Sequence, residues 1–142
     1  MKKMIIAAVL LFFAATAFAQ DNDKGTVFQK GTLKELLEKA GKEKKYLFVD
    51  VYASWCPPCK IMASRVFPQK SVGEYFNKTF VNAKFDAEKG EGIDIARKYN
   101  VRSYPTFLIL DADGTEVGRI VGGDEGDKFV EKVQKVVANI DK

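Results

Sequence analysis

The chain has 142 residues, 46% of them hydrophobic, which is enough for one globular domain with a sizeable core. Its net charge of +4 is mild and its lysines are scattered, which argues against nucleic-acid or membrane-surface binding. With two cysteines and no histidine it cannot supply a four-ligand Cys/His zinc site.

The first nineteen residues have the form of a secretory signal. Lys2 and Lys3 give a charged start, Met4 to Ala15 is an unbroken apolar run, and Ala17-Phe18-Ala19 fits a small-x-small cleavage site. The run falls short of the ~20 apolar residues that span a bilayer, so no stable membrane insertion is expected after cleavage. No cysteine follows it to carry a lipid anchor. Removing two lysines and no acid lowers the net charge from +4 to +2. The expected division is therefore a signal over 1–19, a flexible polar lead-in over 20–25 and one folded domain over 26–142.

Within the domain, Thr26 to Gln29 reads as a short edge strand. Thr32-Leu33-Lys34-Glu35 has capping-box form, and Leu33, Leu36, Leu37 and Ala40 make one helical stripe that Gly41 is expected to end. Tyr46 to Tyr52 is a nearly continuous apolar strand interrupted by one charge, Asp50, the pattern of a strand covered on both faces. A helix is expected from Cys59 to Phe67, ending before Pro68, and a shorter one from a cap at Ser71 through Phe76. Phe80 to Asp86 is the next strand, and Ile93 to Tyr99 a short helix that packs through Ile93, Ile95, Ala96 and Tyr99. Thr106 to Leu110 and Glu116 to Val121 flank the turn Asp111-Ala112-Asp113-Gly114. A last helix carries Phe129, Val130, Val133, Val136, Val137 and Ile140 at helical spacing. The order β-α-β-α-β-α-β-β-α implies an α/β fold, a central mixed β-sheet with helices on both faces.

Both cysteines lie in Trp55-Cys56-Pro57-Pro58-Cys59-Lys60, between a strand and a helix. Thiols at a helix start are favoured as thiolates, because unsatisfied N–H groups and the helix dipole stabilise negative charge there. A c-type haem attachment would need histidine at position 60, which is Lys. A purely structural disulfide would close so short a loop that it would constrain the unfolded chain little. The motif is therefore read as a redox dithiol with no metal and no organic cofactor.

The stretch Val49-Asp50-Val51-Tyr52-Ala53-Ser54-Trp55-Cys56-Pro57-Pro58-Cys59-Lys60 resembles the thioredoxin superfamily in strand, acid, Trp and CxxCK. Ser103-Tyr104-Pro105-Thr106 is similar to that family's cis-proline loop, and Gly122-Gly123 to the glycine after its last strand. The segment between Cys59 and Phe80, broken by Pro68, is similar to exported thioredoxin-like proteins and the C-terminal domain of transmembrane thiol reductases. The chain departs from ordinary thioredoxin at Pro57, where that protein has Gly.

The resemblance implies a thioredoxin fold and a set of roles. Cys56, at the start of the helix, is expected to be exposed and to attack, and Cys59, one turn in and more buried, to resolve. Asp50 is expected to accept the proton of Cys59, with Lys84 of the neighbouring strand as its ionic partner. Trp55 would shield and position the site. Tyr104 and Pro105, with a cis bond between them, would present backbone to an extended substrate. Pro57, Pro58 and Lys60 would tune the redox balance, Lys60 weakly because it is exposed. The function implied is exported thiol–disulfide exchange, in the periplasm or outside the cell. Its partners would be protein disulfide or dithiol substrates and a membrane thiol reductase as electron donor. The alternatives are a net oxidant that forms disulfides and a thioredoxin-fold binding module with an idle dithiol.

Overall fold

Alternation along the first strand decides the two layers. A computed structural model describes residues 24–142; the expected signal segment lies outside them. Strand β1 (Tyr46–Tyr52) is buried over its five central residues, so both of its faces are covered. Leu47, Val49 and Val51 join one core with Leu33, Leu36, Ala40, Ile95 and Tyr99, under helices α1 (Leu33–Glu43) and α4 (Glu91–Lys98). Phe48 points the other way, into a core with Phe67, Phe76, Phe80, Phe107 and Phe129. That second core lies beneath α2 (Pro57–Ile61) with its continuation Met62–Val66, α3 (Lys70–Thr79) and α5 (Gly126–Ile140).

The sheet has the order β2-β1-β3-β4, with β2 (Phe80–Asp86), β3 (Thr106–Leu110) and β4 (Glu116–Val121). β1 and β2 are parallel; β1 with β3 and β3 with β4 are antiparallel. The register sets Asp50 opposite Lys84 and Tyr52 opposite Asp86, all on the face of Phe48. The Phe core is tightly interlocked: Phe48 lies 4.7 Å from Phe76 and 5.5 Å from Phe107 between ring centroids. Each fully buried Phe stabilises the fold by roughly 1.5–3 kcal/mol through area removed from water.

The Thr32–Glu35 capping box is present: Glu35 N–H donates to Thr32 Oγ1 at 3.2 Å, and Thr32 N–H to Glu35 Oε2 at 2.8 Å. The helix does not stop at Gly41, however. It runs to Glu43 and ends on Lys44 in the left-handed conformation, φ 55°, with that residue's N–H on the Ala40 and Gly41 carbonyls. Gly41 instead allows close packing on the hairpin turn, since a Cβ there would lie 3.2 Å from that of Ala112.

Four further elements differ from expectation. Thr26 to Gln29 makes only a single parallel bridge, Phe28 with Asn82. Its other donors are used away from the sheet: Thr26 N–H goes to the Phe67 carbonyl at 2.7 Å and Val27 N–H to Asn77 Oδ1 at 2.8 Å. The helix after the dithiol widens to π-helical turns at Met62–Val66, where Phe67 N–H bonds to the Met62 carbonyl at 2.9 Å. Helix α3 begins at Lys70, because the Gln69 carbonyl already accepts Gly73 N–H at 2.9 Å, and it extends to Thr79. Helix α4 begins at Glu91, after Gly90 reverses the chain at φ 54°. Gly92, Ile95 and Tyr99, three and four positions apart, share the inward face, and Ile93 falls on the exposed one. No helix among the described residues is long and apolar enough to cross a membrane.

Candidate active site

The chain leaves β1 at Tyr52 and turns tightly, with the Ala53 carbonyl accepting Cys56 N–H at 3.2 Å. Cys56 is therefore extended, φ −73° and ψ 113°, and caps α2. Pro57 and Pro58 follow at the first two helical positions, where an N–H has no intrahelical partner and a fixed φ suits the helix. The first backbone donor beyond them is Cys59 N–H, which points at Cys56 Sγ at 3.2 Å. The two cysteines form a disulfide, with Cα atoms 5.3 Å apart.

The expected difference in exposure between them is absent. Cys56 is 2% exposed and Cys59 5%, because Ala53, Tyr52 and Tyr104 pack around both. Position on the helix, not accessibility, separates the two sulfurs. Cys56 is the one that receives a backbone N–H at the helix start.

Asp50 lies in the middle of β1 and is 2% exposed, and its Oδ1 has no hydrogen-bond partner among the described residues. Burial pushes its carboxyl up from 3.8 to about 7, with the Lys84 charge pulling the other way. Lys84 is Asp50's register partner across the parallel pair. Its ammonium does not close the expected ion pair on the carboxylate. It lies 5.0 Å from the ring centroid of Tyr52 and 5.1 Å from that of Phe28. Two aromatic faces partly replace the water that a half-buried ammonium gives up.

The Tyr104–Pro105 bond is cis. The Pro105 carbonyl accepts Gly122 N–H at 2.8 Å, and Thr106 Oγ1 donates to the Ser103 carbonyl at 2.8 Å, which together fix the loop. Tyr104 packs on the cysteines and meets Trp55 edge to face at 6.1 Å. Trp55 is 62% exposed, so it borders the dithiol instead of burying it. Its indole N–H donates to Glu88, and Ala87 N–H on the Tyr52 carbonyl at 2.8 Å holds that loop against the end of β1. Glu88 carries no sequence signal of this contact; only the β2–α4 loop brings it there. Lys60 is exposed on α2, with its charge in solvent. On the other side of Pro58, an apolar cleft of about 380 Å³ runs between Ile61, Met62 and Arg65 and the Gly123–Gly126 turn. Gly123 allows that approach, since a Cβ there would lie 2.8 Å from the Met62 sulfur.

Asp50 is buried within β1, and just beyond that strand's end the cis-proline loop packs through Tyr104 on the helix-capping disulfide. The family model described as the thioredoxin-like domain matches residues 33–137. The chain belongs to the thioredoxin superfamily. A thioredoxin from Echinococcus granulosus is 36% identical over 91 residues, 64% of this chain and 78% of that protein. Among solved structures, a putative disulphide-isomerase from Bacteroides thetaiotaomicron is 41% identical at a TM-score of 0.72, covering 80% of this chain and 94% of its own. The oxidised DsbD C-terminal domain of Neisseria meningitidis is 26% identical at a TM-score of 0.61, covering 78% and 97%. Within the superfamily's fold, Cys56, Cys59, Trp55, Tyr104 and Pro105 come together here. Lys84 neighbours Asp50 without pairing to it, and Lys60 stands apart.

Proposed function

We propose that this protein is an exported thiol–disulfide oxidoreductase that reduces or isomerises disulfides in other proteins. The observation that carries the proposal is the Cys56–Cys59 disulfide at the start of α2, with Cys59 N–H directed at Cys56 Sγ. In the reduced protein, the Cys56 thiolate attacks one sulfur of a substrate disulfide. The substrate S–S bond breaks, and its other sulfur leaves as a thiolate and takes up a proton. Cys59 then loses its proton to Asp50 and attacks the Cys56 sulfur, expelling the second substrate sulfur as a thiolate. Two electrons pass to the substrate and the Cys56–Cys59 disulfide forms. No metal or organic cofactor enters any step.

Asp50 suits the acceptor role because its carboxyl, raised to about 7, can take a thiol proton near neutral pH and release it again. Trp55, Tyr104 and the cis Pro105 loop border the sulfurs and receive the substrate chain, with Ile61, 50% exposed, adding apolar surface. Lys2, Lys3, the apolar run and Ala17-Phe18-Ala19 support export to the periplasm or the cell exterior. Likeness to a DsbD C-terminal domain supports a membrane thiol reductase as the source of electrons. Reduction of a disulfide-bonded protein by dithiothreitol tests the activity. The protein should accelerate it and Cys56→Ser should abolish the effect; equal rates with and without the protein would refute the reading.

A further inference from the structure

Phe28 lies outside the residues 33–137 that match the family, yet its ring meets Lys84, the charged register partner of Asp50. It bridges to Asn82 at the outer edge of β2, and Gln29 N–H donates to the Asn82 carbonyl at 2.8 Å. Asn82, Lys84 and Asp86 share the face of Asp50 and Tyr52, so a ring beside Asn82 reaches the next residue on that face. The Lys84 ammonium then sits between two rings, 5.1 Å from the centroid of Phe28 and 5.0 Å from that of Tyr52. Phe28 itself is held by Phe67, edge to face at 5.0 Å.

We propose that Phe28 is a positioning residue for the dithiol chemistry, clamping the Lys84 ammonium against Tyr52 so that its charge stays beside Asp50. Lys84 borders a cavity of about 310 Å³ that Thr26, Phe28, Ala63 and Phe67 also line, and this cavity opens to solvent. Without the Phe28 face, the ammonium has water to enter and moves away from the carboxyl. The ring face of Phe28 attracts the ammonium electrostatically, which biases that choice. The other charged or titratable groups on the surrounding elements are Tyr52 on β1, Asp86 on β2 and Cys59 on α2, with Lys24 lining the same cavity. The clamp matters for catalysis only if Asp50 serves Cys59 as proposed above, so the clamp is tested on Asp50 itself.

The experiment follows the Asp50 carboxyl carbon by NMR through a pH titration of the reduced protein. Phe28→Leu should move its midpoint upward by about 0.5 unit, and Phe28→Tyr, which keeps a ring, should restore it. Lys84→Met should move it upward further, and adding Phe28→Leu to Lys84→Met should change nothing more. The pH profile of mixed-disulfide resolution should shift with the Asp50 midpoint. An unchanged or lowered midpoint in Phe28→Leu, or an equal shift on the Lys84→Met background, would overturn the clamp. Should Phe28→Leu fail to fold, the unmodified protein decides: the Lys84 εCH2 protons should be shifted upfield by the rings, and ordinary shifts would overturn it. A resolution rate unaffected by Asp50→Asn would instead remove the acceptor role and leave the clamp intact.

Discussion

Asp50 and Lys84 are register partners on parallel strands; the ammonium sits between two aromatic rings short of an ion pair, and the acid keeps an oxygen without a hydrogen-bond partner among the described residues. The sheet therefore buries a carboxyl whose charged form is poorly compensated, and its folded pKa stands at about 7 against 3.8.

That shift has a definite sign for stability. Where the carboxyl is protonated in both folded and unfolded chains, below about pH 4, Asp50 carries no ionisation penalty. The penalty grows as pH rises from there and is complete once pH exceeds the folded value of about 7. Asp50→Asn should therefore stabilise the protein at pH 8, by on the order of 2–3 kcal/mol, with the gain closing toward pH 4. Urea melts across that range check it. The same variant should resolve mixed disulfides more slowly than it forms them.

The two sulfurs should differ in reactivity although both are buried. In the reduced protein, Cys56 should react with iodoacetamide at mildly acid pH, because it has the helix start and the Cys59 N–H. Cys59 should stay slow until the protein unfolds. Mass spectrometry of timed samples reads the order, and faster labelling of Cys59 would reverse the assignment. Cys59→Ser should accumulate mixed disulfides with substrates.

Helix α4 starts against the Asp86 carbonyl, and Gly92 makes the approach possible, since a Cβ there would collide with that oxygen. Gly92→Ala should lower stability by roughly 1–3 kcal/mol, or more if the backbone cannot shift. Because Asp86 Oδ1 accepts Glu88 N–H at 2.9 Å, the variant should also loosen the Trp55–Glu88 contact, visible as altered Trp fluorescence.

Much of this arrangement is legible in the sequence. The nearly continuous apolar run around Asp50, the Thr32 capping box and the turn at Asp111 are local patterns, and each lies where it was expected. The exceptions depend on contacts far apart in sequence. Gly41 looks like a helix stop but serves packing on Ala112. Thr26 to Gln29 has strand composition, but Phe67 and Asn77 take its donors. At the site, CxxC and the cis-proline loop are carried by motif. The burial of Cys56, the Glu88 contact and the Phe28–Lys84–Tyr52 stack arise from tertiary packing that no local pattern encodes.

The two prolines lead to a prediction for the direction of electron flow. Neither Pro57 nor Pro58 has an N–H, so Cys59 supplies the motif's hydrogen bond to the Cys56 sulfur. A thiolate on Cys56 is then less stabilised than one with more donors, and two fixed φ angles hold the cysteines near bonding geometry. Both effects should favour the disulfide, so the reduced protein is predicted to donate electrons. Pro57→His returns one donor and a possible positive charge, and should shift the potential upward. An unchanged potential in that variant would remove the argument from missing donors.

The most direct test of a reducing role is the potential of the Cys56–Cys59 pair, measured by equilibration with glutathione. A value of about −230 mV or lower, toward the thioredoxin range, is predicted. A value near about −120 mV, typical of strongly oxidising members of the superfamily, would contradict it.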